Sequence, residues 1–222
     1  MRAYSVLELD ERTGGIIFAP DKRTARRWGA NRYADGDESY VEVSRRRDLD
    51  RYEGGGVPAR VLVHDGWWFE CHGCSIMIRE EDMDEAGLPI DGIVGTEGGA
   101  VFCCHQCRME YLSEKARREA FGEAFLDMLA DRVRTRFGDS AVIEPREKHH
   151  VYVPTWHEPM VIKMARVAFR FPGMKHGAAW VEIRHEGPYG GELIGPARIE
   201  VFCPRGDQTA FQAWAATTKG AL

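Results

Sequence analysis

The alternation of apolar and polar positions divides the chain into two differently textured stretches. Near the N-terminus, Ala3-Tyr4-Ser5-Val6-Leu7-Glu8-Leu9 and Gly15-Ile16-Ile17-Phe18-Ala19 read as two strands joined by a turn over residues 10–14. Pro20-Asp21 then precedes a short basic helix over residues 22–30, with Asp21 as its N-cap. Ser39-Tyr40-Val41-Glu42-Val43-Ser44 alternates as a strand should, and a glycine-rich loop at residues 53–58 leads to a further expected strand over residues 59–64.

Further on, apolar residues recur at helical spacing: Met109, Leu112, Ala116, Ala120 and Phe121, then Phe125, Met128, Leu129, Val133 and Phe137. Gly122 interrupts this pattern and predicts either one bent helix or two. Beyond Gly138-Asp139-Ser140 the period changes to two. Val151-Tyr152-Val153, Val167 to Phe171, Trp180 to Arg184 and Arg198 to Phe202 read as antiparallel strands, followed by a closing helix over residues 207–217. The expected class is α+β. A ββαβ unit and a metal module with a long helix occupy residues 1–138, with the metal part at about 60–138, and a mainly β unit occupies residues 139–222.

The strongest chemical signal lies between these stretches. Trp67-Trp68-Phe69-Glu70-Cys71-His72-Gly73-Cys74 is followed by Val101-Phe102-Cys103-Cys104-His105-Gln106-Cys107. Each C-x2-C can place two thiolates on one tight turn, at the separation a tetrahedral zinc requires. Gly73 suits a knuckle that needs unusual backbone angles. Cys71, Cys74, Cys104 and Cys107 are therefore the expected ligands of one structural zinc. Cys103 is a spare thiol able to replace Cys104, and His72 and His105 each sit between two better donors. Four thiolates close the coordination sphere, whereas catalytic zinc keeps a position for water. The insert between the pairs includes acidic residues 79–85, expected as a surface loop. Its segments Ile76-Met77-Ile78 and Pro89 to Val94 are expected as hairpin strands.

A knuckle followed by a C-x2-C at a helix start resembles the treble-clef class of zinc fingers, over about residues 67–137. Residues 18–50 with 67–74 are similar in character to short accessory proteins of phages and prophages, in which a small βαβ unit with a basic helix recurs. That resemblance implies an accessory role, such as inhibition of a host defence complex.

Composition narrows the partners. The 222 residues carry a net charge of −5, which argues against a protein that coats nucleic acid by electrostatics alone. No apolar run spans a bilayer, and no signal-peptide pattern opens the chain. A cytosolic location is expected, where paired cysteines mark metal more often than disulfide. Arg23, Arg26 and Arg27 on the first helix, with Arg45, Arg46 and Arg47 after the third strand, are candidate contacts to a macromolecule. Negative charge favours a protein partner over nucleic acid. The leading expectation is a non-enzymatic interaction protein. Its alternatives are a nucleic-acid-binding zinc finger and a metal-dependent hydrolase. The hydrolase or nuclease would use the C-terminal histidines (His149, His150, His157, His176 and His185); only one of the adjacent His149 and His150 could join His157 in a metal site, with Glu158, Glu182 or Glu192 as oxygen ligand or base. Cys203 before Pro204 is a lone cysteine, read as a small apolar residue before a nucleophile. No H-E-x-x-H, G-x-S-x-G or P-loop occurs.

Overall fold

In the computed structural model, residues 1–11, 13–155, 160–186 and 194–218 are described. The chain forms two compact units, Met1–Ser113 and Glu114–Leu222. Their division falls inside the long helix, whereas the sequence pattern suggested residue 138.

In the first unit, β1 (Arg2–Glu8) pairs antiparallel with β2 (Gly14–Ala19) and with β3 (Val41–Arg45), giving the order β2-β1-β3. Helix α1 (Lys22–Tyr33) begins where expected and extends three residues further than the sequence indicated; the Asp21 carboxylate accepts the Thr24 N–H at 2.8 Å. Ala25 and Ala30 of α1 are buried with Tyr4, Val6, Val41 and Val43. Gly29 is required by close approach, since a Cβ there would lie 3.0 Å or less from Val6.

Three expectations fail in the stretch that follows. Residues 59–64 form helix α2 (Ala59–His64) rather than a strand. Its buried residues are Ala59, Leu62 and Val63, the i, i+3, i+4 face of a helix, and Pro58 supplies a φ of −57° at its start. The apolar run Val61-Leu62-Val63 looked like a strand only because its helical face is so short. The acidic stretch is not a loop but helix α3 (Glu80–Glu85), anchored by fully buried Met83. The hairpin consists of β4 (Phe69–Glu70) and β5 (Met77–Ile78), with Phe69 opposite Ile78. Residues 89–94 contribute a 3-10 turn at Ile90–Gly92 and a single bridge from Val94 to Phe102, instead of a second strand.

Helix α4 (His105–Phe137) runs through Gly122 without ending. A Cβ on Gly122 would lie 3.0 Å from Val151 Cγ1, a tight contact that glycine avoids. Leu126, Leu129, Ala130, Val133 and Phe137 form its buried stripe, whereas Met109 and Leu112 are exposed. Thus only the later half of the periodic pattern faces a core.

In the second unit, β6 (Val142–Ile143), β7 (His150–Tyr152), β8 (Met164–Arg170), β9 (Ala179–Glu186) and β10 (Ile194–Phe202) form one antiparallel sheet. Its order is β10-β9-β8-β6, with β7 also on β8. Helix α5 (Gln208–Thr217) closes the unit. Val167, Phe169, Val181 and Ile183 pack with the α4 stripe, and Phe211 and Trp214 of α5 complete the core. Phe137 stacks on Trp214 with ring centroids 4.9 Å apart, and Phe171 stacks on the same indole at 5.1 Å. Among the described residues, no helix is long and apolar enough to cross a membrane.

Candidate metal centre

Chain geometry brings two distant turns together. After β4, Cys71 opens a tight turn in which the Ser75 N–H reaches the Cys71 carbonyl at 2.9 Å and the Cys71 N–H reaches the Ile76 carbonyl at 3.0 Å. The left-handed residue of this turn is Ser75, at φ +59°, not Gly73 as the knuckle reading supposed. Gly73 serves another purpose. A Cβ on it would stand 2.9 Å from the Cys107 carbonyl oxygen and 3.0 Å from the Cys107 Cβ, so a side chain there would push the two cysteine turns apart. The segment before α4 is tied to the first turn by His72 N–H to the Val101 carbonyl, 2.9 Å, and to residue 94 by the Val94–Phe102 bridge. Beneath lie Ala59, Val63, Ile78, Met83, Ile93 and Val101, all buried.

The sulfur atoms of Cys71, Cys74, Cys103 and Cys107 all lie within 4.8 Å of one another. Cys74 and Cys103 are 3.7 Å apart, and Cys103 and Cys107 are 3.4 Å apart. Four thiolates around zinc, with Zn–S near 2.3 Å, sit about 3.8 Å from each other in a tetrahedron. These separations therefore fit a zinc ion in number, donor type and size. Cys104, the ligand favoured by spacing, lies beside the group: its sulfur is 3.9 Å from that of Cys103 and accepts the Cys107 N–H at 3.5 Å. Cys103, expected as the spare thiol, stands fourth in the cluster. At the start of α4 adjacent residues diverge, and Cys103 is the one turned inward, 1% exposed.

The electrostatics are uneven. Burial pushes the Cys71 thiol up. The backbone N–H groups of Cys103, Cys74 and Gly73 outweigh this and draw it down to about 7. Cys104 is lowered by the N–H of Cys107. Burial, reinforced by the thiols around it, pushes Cys103 up, and burial pushes Cys107 up to about 12. A cation at the centre reverses these penalties, because a coordinating thiol is deprotonated by the metal itself. His72 and His105 are exposed.

The six candidate arginines are not gathered into one face. Arg26 donates to the carbonyls of Glu38 and Val41 at 3.0 and 2.7 Å, clasping α1 to β3. Arg45 pairs with Asp50 at 2.5 Å, and Arg46 with Asp48 and Asp65 at 2.7 and 2.6 Å. Arg23, Arg27 and Arg47 are exposed and have no such bracing role among the described residues.

Two of the C-terminal histidines serve separate local roles. His149 Nδ1 accepts the Ala168 N–H at 3.2 Å, and His176 sits 3.1 Å from buried Asp207, whose carboxylate also accepts the N–H groups of Lys175 and His176. Glu182 pairs with Arg184 at 2.8 Å. His157, Glu158 and Glu192 lie outside the described residues. Within the described residues, the cysteine group is the one cluster of His, Cys, Asp or Glu with metal-holding geometry. Cys203 is half-buried, with its thiol pushed up by burial. The chain matches no protein family, no curated protein and no solved structure.

Proposed function

We propose that this chain is a zinc-stabilised, non-enzymatic interaction protein whose partner is another protein. The observation that carries the reading is the convergence of four sulfurs within 4.8 Å. An all-sulfur set leaves zinc no open position for water, so the ion orders the chain and does no chemistry. The hairpin β4–β5 on one side and the first turn of α4 on the other are the parts of a treble-clef-type finger. A protein partner is favoured by the net charge of −5 and by the internal use of Arg26, Arg45 and Arg46. The likeness of the N-terminal unit to phage accessory proteins extends the proposal to a partner within a host complex, in the cytoplasm.

Cys71, Cys74 and Cys107 are common to two ligand sets. The cluster as found adds Cys103; a second reading adds Cys104, favoured by its C-x2-C spacing and by the Cys107 N–H on its sulfur. Zinc content of Cys103→Ser and Cys104→Ser decides between them: the ligand's substitution releases zinc and the other's does not. Affinity capture with zinc-loaded protein tests the function. A discrete protein retained by the loaded form, and lost on chelation, is expected. Two outcomes would overturn the reading: a second, histidine-dependent metal equivalent, or heparin retention that vanishes when Arg23, Arg27 and Arg47 become alanine.

A further inference from the structure

The turn after α2 and the start of β4 wall a groove of about 530 Å3 on the first unit. Alternation along this stretch sorts three aromatic residues. Trp67 and Phe69 pack against the buried cluster of Ala3, Ile16, Leu49, Val57 and Leu62, while Trp68 between them turns outward and is 60% exposed. An indole held out by two anchored neighbours is a rigid apolar platform. Asp65 and Glu97 share the groove with it, and among the described residues no lysine or arginine lines it.

The two carboxylates differ. Asp65 is exposed and already paired with Arg46 through one oxygen. Glu97 is half-buried, has no ion pair among the described residues, and accepts one N–H, from Ile16 at 3.2 Å. Its position is built into the chain. A Cβ on Gly15 would collide with both the Glu97 carboxylate and the Tyr33 hydroxyl, so glycine at that position is what lets the carboxylate lie against β2. Burial also pushes the Glu97 pKa up, against the pull of the Ile16 N–H and Arg32. A partly desolvated carboxylate that forms no ion pair among the described residues, sharing a groove with an exposed indole, presents two features that attract a cation: a negative charge open to a direct partner and an electron-rich ring face.

Resting on the reading of the chain as a protein-binding module, we infer that this groove receives an arginine side chain from a basic segment of the partner. Guanidinium is the cation that both stacks on an indole and bonds a carboxylate in one plane. Phosphate-bearing ligands are disfavoured here by the two carboxylates.

The test uses the full zinc-loaded chain and two fluorescein-labelled peptides of alternating residues, Gly-Arg and Gly-Glu, followed by fluorescence anisotropy. The arginine peptide is expected to bind and the glutamate peptide not to. Trp68→Ala and Glu97→Gln are each expected to weaken the arginine peptide by about tenfold or more, with zinc content and circular dichroism unchanged. Glu97→Gln is isosteric and serves as the test where Trp68→Ala disturbs the fold. Equal binding of the two peptides, arginine-peptide affinity unmoved by both substitutions, or direct binding of a fluorescein-labelled single-stranded oligonucleotide that both substitutions weaken would overturn the inference. Partner capture that survives both substitutions would remove the groove and leave the interaction reading standing. Failure of the unsubstituted protein to capture any partner would instead remove that reading.

Discussion

The segment from β4 to the first turn of α4 and the sheet of the second unit both hold short elements in place, but with different materials. Around the cysteines the strands are two residues long, the connections are turns and the short helix α3, and Ala59, Val63, Ile78, Met83, Ile93, Val101 and Phe102 are buried beneath a sulfur cluster. The second unit has strands of up to nine residues and a core in which Phe137, Phe169, Phe171, Phe211 and Trp214 touch one another. A sheet with that much apolar area orders itself. The cysteine segment has shorter elements and a smaller core, and under the proposed reading a cross-link made by an ion would add what burial there does not.

The comparison can be broken in order of effect. Chelation, or Cys71→Ser, should unfold the segment over residues 67–111, because structural zinc contributes on the order of 10 kcal/mol in small fingers. Hydrogen exchange should show those amides deprotected while β8 and β9 keep their protection. Loss of protection in both regions together would mean that the ion stabilises more than its own segment. Phe169→Ala should do the converse. It removes a fully buried ring and should cost about 3–5 kcal/mol by denaturant titration, with zinc content unchanged. Gly122→Leu tests a finer point, since its side chain must enter the space held by Val151; a loss of about 1–3 kcal/mol is expected.

The smallest effect concerns pH. Burial raises the pKa of Asp207, but the N–H groups of His176 and Lys175, with the His176 ring, hold it below the ordinary value of 3.8. A depressed folded-state pKa gives stability that is complete above the ordinary carboxylate range and is lost as pH falls through the depressed value. Asp207→Asn should therefore lower the thermal midpoint at pH 7, and the gap from the parent should close below pH 3.8. A gap that persisted in acid would assign the effect to packing.

How far the sequence discloses these features depends on how local their cause is. The strands β1 to β3, the Asp21 cap and the two cysteine pairs are local: alternation, a capping side chain and a spacing each act within a few residues. Helix α2 is not legible in sequence, because three consecutive apolar residues suit a buried strand or one helical turn equally, and only packing chooses. The exposure of Met109 and Leu112 was hidden for a related reason. A periodic pattern says which residues share a face, not how much of that face is covered. The place of Cys103 depends on which of two adjacent side chains turns inward at a helix start, a matter of tenths of a nanometre that spacing does not encode. The groove joins Gly14, Asp65, Trp68 and Glu97, and no short-range motif links them.

The central claim is that one zinc ion, held by sulfur alone, joins the turn after β4 to the start of α4. X-ray absorption at the zinc edge on the purified chain tests it directly. The account expects one equivalent of zinc with four sulfur neighbours at about 2.3 Å. A metal-free protein with an intact fold, or a first shell containing oxygen or nitrogen, would contradict it.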